Sequence, residues 1–176
     1  MSRIKYATDP PFIKPWATRI GQLIVNFSGL EFESYFWLVQ MSEQPEKIPE
    51  FTKQTYTSRV KMIIRFIKNL AFSEEWGNDA LAGWNESLEL AKLRNRVAHN
   101  PLLFAWDDEN KTGEPDFIGV ADMKASRPLE GTEGPLLAKS AITDAINQIN
   151  NLVTHLALLR KDWCTCRDNS RSAFIP

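Results

Sequence analysis

This chain has only two histidines in 176 residues, and one of them stands where it could do chemistry. His99 lies in the stretch Leu93-Arg94-Asn95-Arg96-Val97-Ala98-His99-Asn100-Pro101, five positions after Arg94 and two before a proline. An imidazole exchanges protons around neutral pH, and a guanidinium stays charged and offers paired N–H donors to a phosphate. Together they are sufficient for RNA cleavage. RNA carries its own nucleophile, the 2′-hydroxyl, so cleavage needs only proton transfer and stabilisation of the charge on the phosphorane. On this reading His99 does acid/base work, Arg94 holds the scissile phosphate, and Asn95 orients the pocket or a water. The expected products are a 2′,3′-cyclic phosphate and a 5′-hydroxyl, with no metal and no other cofactor required.

The helix that would carry these residues runs from about Asn78 to His99, with Asn100 and Pro101 as its stop signal, because proline lacks an amide donor and restricts the residue before it. At ~100° per residue, Trp84, Leu88, Ala91 and Ala98 share one face. Asn95 falls in the middle of that stripe, and Arg94 and His99 flank it on opposite sides. Leu90, Leu93 and Val97 form a second apolar strip, so this helix is expected to be contacted from two directions, by the core and by a dimer partner. A buried asparagine needs hydrogen-bond partners, and a guanidinium beside an imidazole at a helix end makes a cationic pocket suited to an anion.

The run Arg94-Asn95-Arg96-Val97-Ala98-His99, an R-x4-H arrangement with a polar residue after the arginine near the end of a bundle helix, resembles the signature of HEPN domains. Members of that family are helical bundles, often dimeric, and many are metal-independent endoribonucleases acting as toxins or antiviral effectors. The resemblance implies a homodimer that places two copies of Arg94, Asn95 and His99 in one cleft. It also implies RNA as substrate, a toxin or phage-defence role, and a cognate antitoxin or regulatory protein as partner.

The same residues fit two plainer roles. A helix C-terminus favours cations, so Arg94, Arg96 and His99 could offset the macrodipole with Asn100 as the cap. Alternatively, the face is that of a non-catalytic helical module that binds nucleotide, RNA or a protein, which the formal net charge of -1 favours. Other residues attach to the site by pattern alone. Glu31 lies within ~40° of Phe27 and Leu38 on an apolar stripe, so it needs a partner, and Arg94 is the candidate. Between Thr52 and Phe72 there are five basic residues and no acidic one. Lys61, Arg65 and Lys68 recur there at helical spacing opposite Ile63 and Ile67, which makes them, with Arg96, weaker RNA-backbone candidates against a plain solvated helix face.

Several elements must position these groups. From Trp16 to about Ser42, residues Ile20, Leu23, Ile24, Phe27, Leu30 and Leu38 mark a long amphipathic helix after a proline-rich leader. A connector with Pro45 and Pro49 leads to a helix at about 54–71, marked by Val60, Ile63, Ile64, Ile67 and Leu70. A final helix at about 140–163 carries Ile142, Ala145, Ile146, Ile149, Leu152, Val153, Leu156 and Leu159, followed by a tail. Residues 102–107 and 117–123 flank a polar stretch and read as a small β-hairpin within an insertion at about 101–134. That insertion concentrates acid at Asp107, Asp108, Glu109, Glu114 and Asp116. It follows His99 directly, as a surface hairpin or as a lid over the pocket.

The expected architecture is therefore all-α, a four-to-five helix up-and-down bundle with a small insertion after the third long helix, in a single domain with a core at about 16–163. The hydrophobic fraction of 43% and charged fraction of 24% are those of an ordinary globular chain. No apolar run has signal-peptide or membrane-span length, so a cytoplasmic protein with no membrane partner is expected. His155 reads as a core-edge residue, and Trp37, Trp84 and Trp106 as packing residues. Cys164 and Cys166 read as reduced thiols in the tail.

Overall fold

A computed structural model describes residues 10–42, 45–70, 73–100, 102–105, 117–120 and 139–172. The leader at 1–9, Pro101, Trp106 and the acidic positions of the insertion lie outside the described residues. The architecture is all-α, with five α-helices and a two-stranded antiparallel pair among the described residues. The helices are α1 (Pro10–Ser42), α2 (Ile48–Thr52), α3 (Tyr56–Asn69), α4 (Glu74–His99) and α5 (Lys139–Ser172), with a 3-10 turn at Pro45–Lys47 before α2. Strands β1 (Leu102–Ala105) and β2 (Phe117–Val120) pair from Leu102 opposite Val120 to Ala105 opposite Phe117. The expected hairpin is therefore present.

Three helices extend beyond their sequence-predicted limits, each for a local reason. α1 begins at Pro10 rather than Trp16. Prolines in the first turn cost little, because the amides they lack have no intrahelical partner there. Pro15 is the only proline further inside that helix. α4 begins at Glu74 rather than Asn78, with Ser73 Oγ accepting from the Trp76 amide at 3.3 Å and Glu74 and Glu75 in the first turn. Both features suit a helix N-terminus. The tail expected after Trp163 is instead helix as far as Ser172. Arg167 Nη1 donates to the Gln40 carbonyl at 3.0 Å and its guanidinium lies 4.8 Å from the Trp163 ring centroid, so the extra turns have tertiary partners. Cys164 accordingly sits on α5, its Sγ donating to Gln40 Oε1 at 3.0 Å.

The fold divides into two compact units, one holding residues 1–25 and 92–147, the other 26–91 and 148–176. In the second unit, parts of α1, α4 and α5 pack with α3 as a bundle around Phe27, Trp37, Ile63, Trp84 and Leu156, all buried. Trp37 stacks on Trp76 at 5.7 Å and meets Trp84 edge-on at 5.5 Å. The Trp37 and Trp76 indole N–H groups donate to the Leu156 and Leu159 carbonyls at 3.2 and 3.0 Å, fixing both rings against one face of α5. A Cβ at Gly83 would meet Leu156 Cδ2 at 3.0 Å, so a side chain there would hold α4 and α5 apart. In the first unit the core is Trp16, Leu23, Val97, Val120, Ile142 and Ala145. There Arg19 Nε donates to Thr143 Oγ1 at 3.2 Å, joining α1 to α5.

Candidate active site

Arg94, Asn95, Arg96 and His99 all fall in the last two turns of α4, within the first unit. Burial assigns their faces. Val97 is buried, Leu93, Arg94 and Arg96 are half-buried, and Asn95, Ala98 and His99 are exposed. The apolar strip through Leu90 and Val97 is thus the one the core covers at this end of α4. The stripe through Trp84 and Ala91 is covered only as far as Ala91, and its continuation through Asn95 and Ala98 is open. Asn95, expected to be buried, is exposed in the single chain.

The arginine and asparagine are nevertheless joined. Arg94 Nη1 donates to Asn95 Oδ1 at 2.9 Å, which fixes one edge of the guanidinium fork on the open face. At the helix terminus, Asn100 Nδ2 donates to the Arg96 carbonyl at 2.6 Å, a side-chain bond that closes the last turn. Capping therefore belongs to Asn100, and His99 is not needed for it.

Comparisons with protein-family models, with curated proteins and with solved structures found no match.

The remaining sequence candidates lie in the second unit. Lys61, Arg65 and Lys68 are exposed along α3. Glu31 is half-buried on α1, and its charge acts on Arg59 within the same unit. Arg94 belongs to the other unit. His155 is half-buried with Nε2 3.1 Å from Asp79 Oδ1, at the edge of the core as expected.

Sequence reasoning missed two buried charges. Arg59, counted among the basic residues of α3, is only 3% exposed. Its Nε donates to Ser34 Oγ at 2.9 Å and its Nη1 to the Gln54 carbonyl at 2.6 Å, with the guanidinium 4.0 Å from the Tyr35 ring centroid. Burial pulls this guanidinium below its ordinary value, and Tyr35, Glu31 and Tyr56 act in the opposite direction. Glu33 is the buried carboxylate of α1, held by Arg160 Nε and Nη2 at 2.9 and 3.3 Å. Both Glu31 and Glu33 lie at edges of the apolar stripe, and periodicity alone does not say which edge a neighbouring helix covers. The one available signal was Arg59 itself, one residue before Val60 on a strongly amphipathic helix.

Proposed function

We propose that the chain is a HEPN-like, metal-independent endoribonuclease whose reacting groups are Arg94, Asn95 and His99. The observation that carries the reading is the Arg94–Asn95 hydrogen bond on an uncovered face of α4, with His99 exposed in the same last turns. The helical fold is of the kind the resemblance implies. His99 takes the proton of the RNA 2′-hydroxyl as its oxygen attacks phosphorus, and the bond to the 5′-oxygen breaks. That oxygen gains a proton from water or from the second His99 of a homodimer. Arg94, held by Asn95, donates to the phosphorane oxygens. A second copy against the open face would supply the composite cleft and bury Asn95. A toxin or phage-defence setting with an antitoxin partner follows from the same resemblance.

The test uses purified protein with EDTA on single-stranded RNA, alongside His99→Ala and Arg94→Ala. Cleavage that leaves a cyclic phosphate and disappears in both folded variants supports the enzyme. Intact RNA with the wild-type protein, freed of any co-purifying inhibitor, sinks it. The net charge of -1 favours the second reading, a binding module on the same face, which predicts binding without cleavage.

A further inference from the structure

We propose that the outer face of α3, together with the groove beside it, is a docking surface for single-stranded nucleic acid. This goes beyond the cleavage reading and stands or falls separately from it. Lys61, Arg65 and Lys68 are all exposed, and no acidic residue lies between Thr52 and Phe72. In a chain of net charge -1, that cationic stretch must be offset by acidic residues elsewhere. The fourth basic side chain of α3, Arg59, turns into the core, so the exposed set is a stripe and not an even scatter. From Lys61 to Lys68 the stripe runs about 10 Å at ~1.5 Å per residue. A stacked strand advances about 3.4 Å per phosphate, so three cations match about three phosphates.

The stripe adjoins a groove with an apolar side and a polar rim of Ser42, Lys47, Glu50 and Gln54. Met62 and Phe66 lie about 60° and 100° around α3 from Arg65, and both are half-buried. With Met41 and Phe51 they line a cavity of about 350 Å³, to which Lys47 and Glu50 also contribute. Of its two phenylalanines and two methionines, Phe66 and Met62 are the more exposed, and beside a row of cations they suit a base whose phosphates lie on the stripe. Glu50 favours a nucleic acid over the other polyanion of similar shape, an acidic amphipathic peptide, because a base edge brings an amino donor to its carboxylate and an acidic side chain brings none.

The experiment is fluorescence anisotropy of the full chain with a labelled single-stranded 2′-O-methyl RNA, which cannot be cleaved through its 2′-oxygen, between 50 and 200 mM salt. The wild-type protein should bind with a salt-dependent affinity. The Lys61→Gln/Arg65→Gln/Lys68→Gln variant should bind at least about tenfold more weakly, with a log–log salt slope shallower by about 2, at roughly 0.7 per lost phosphate contact. If that variant folds poorly by circular dichroism, Arg65→Gln alone should shift the slope by about 0.7. Phe66→Leu, which keeps the groove filled but removes the ring, should weaken binding by about fivefold or more with the slope unchanged. Unchanged affinity in the charge variants overturns the surface even if RNA is cleaved. No binding by the wild type, or preferential binding of an acidic peptide, overturns it as well. Binding without cleavage leaves the surface standing and removes the cleavage reading.

Discussion

Arg94 is oriented by its own neighbour in sequence, so the part Asn95 plays can be separated from those of Arg94 and His99. Asn95→Ala removes one neutral acceptor worth about 1 kcal/mol, so kcat/KM on RNA should fall about fivefold to tenfold. The pH–rate profile, set by His99 in this reading, should keep its shape. A profile that loses a limb would instead make Asn95 part of the proton path. The Glu33–Arg160 pair gives a stability counterpart. Its side chains are only 9% and 20% exposed, and the geometry is a two-donor fork. Glu33→Ala takes the carboxylate from a largely buried guanidinium, leaving it Gln40 Oε1 at 3.3 Å, and should cost about 3 kcal/mol in urea unfolding, whereas Glu33→Met with Arg160→Met should recover most of that loss. At this scale the sequence named Arg94, Asn95 and His99, because they are adjacent on one helix. It did not name Glu33 or Arg59, because their partners Arg160 and Ser34 are 127 and 25 residues away.

The helices are held by end chemistry and close approach as much as by periodicity. Thr55 caps α3, its side chain accepting from the Ser58 amide at 3.2 Å. Two glycines separate helix propensity from packing. Nothing lies within 4 Å of a Cβ placed at Gly21, whereas one at Gly83 meets Leu156 Cδ2 at 3.0 Å and Leu152 Cδ1 at 3.3 Å. Gly21→Ala should therefore stabilise the protein by about 0.5–1 kcal/mol through helix propensity alone. Gly83→Ala gains the same propensity but overpacks a contact with the fully buried Leu156, and should come out destabilising by about 1 kcal/mol. Thermal or urea unfolding of both variants checks the pair, and the same sign for both would sink the distinction. The heptad-like rows in α1, α3, α4 and α5 were legible because each helix needs one apolar stripe. Their ends were not, since Pro10 and Ser73 act through amides and caps, and the last turns of α5 through Gln40.

At the scale of the whole molecule, no helix among the described residues is long and apolar enough to cross a membrane. The open continuation of the α4 stripe through Asn95 and Ala98 is the face a second copy would cover in the proposed enzyme. Sedimentation at micromolar concentration should therefore give a dimer, and Ala98→Glu, a charge at the centre of that face, should give a monomer with about a hundredfold lower cleavage. A wild-type monomer that still cleaves removes the shared cleft. The sequence by itself determined the all-helical class, the hairpin and the placing of Arg94, Asn95 and His99 at one helix end, because periodicity, turn residues and short spacings are local. Only the tertiary structure decided which faces are covered. It closed the Leu90–Val97 strip, left Asn95 and His99 open, and sent Arg59 inward while Lys61, Arg65 and Lys68 stayed outside. A helix can display two apolar strips or several cations around its circumference, but which of them meets protein and which meets water depends on the neighbours packed against it.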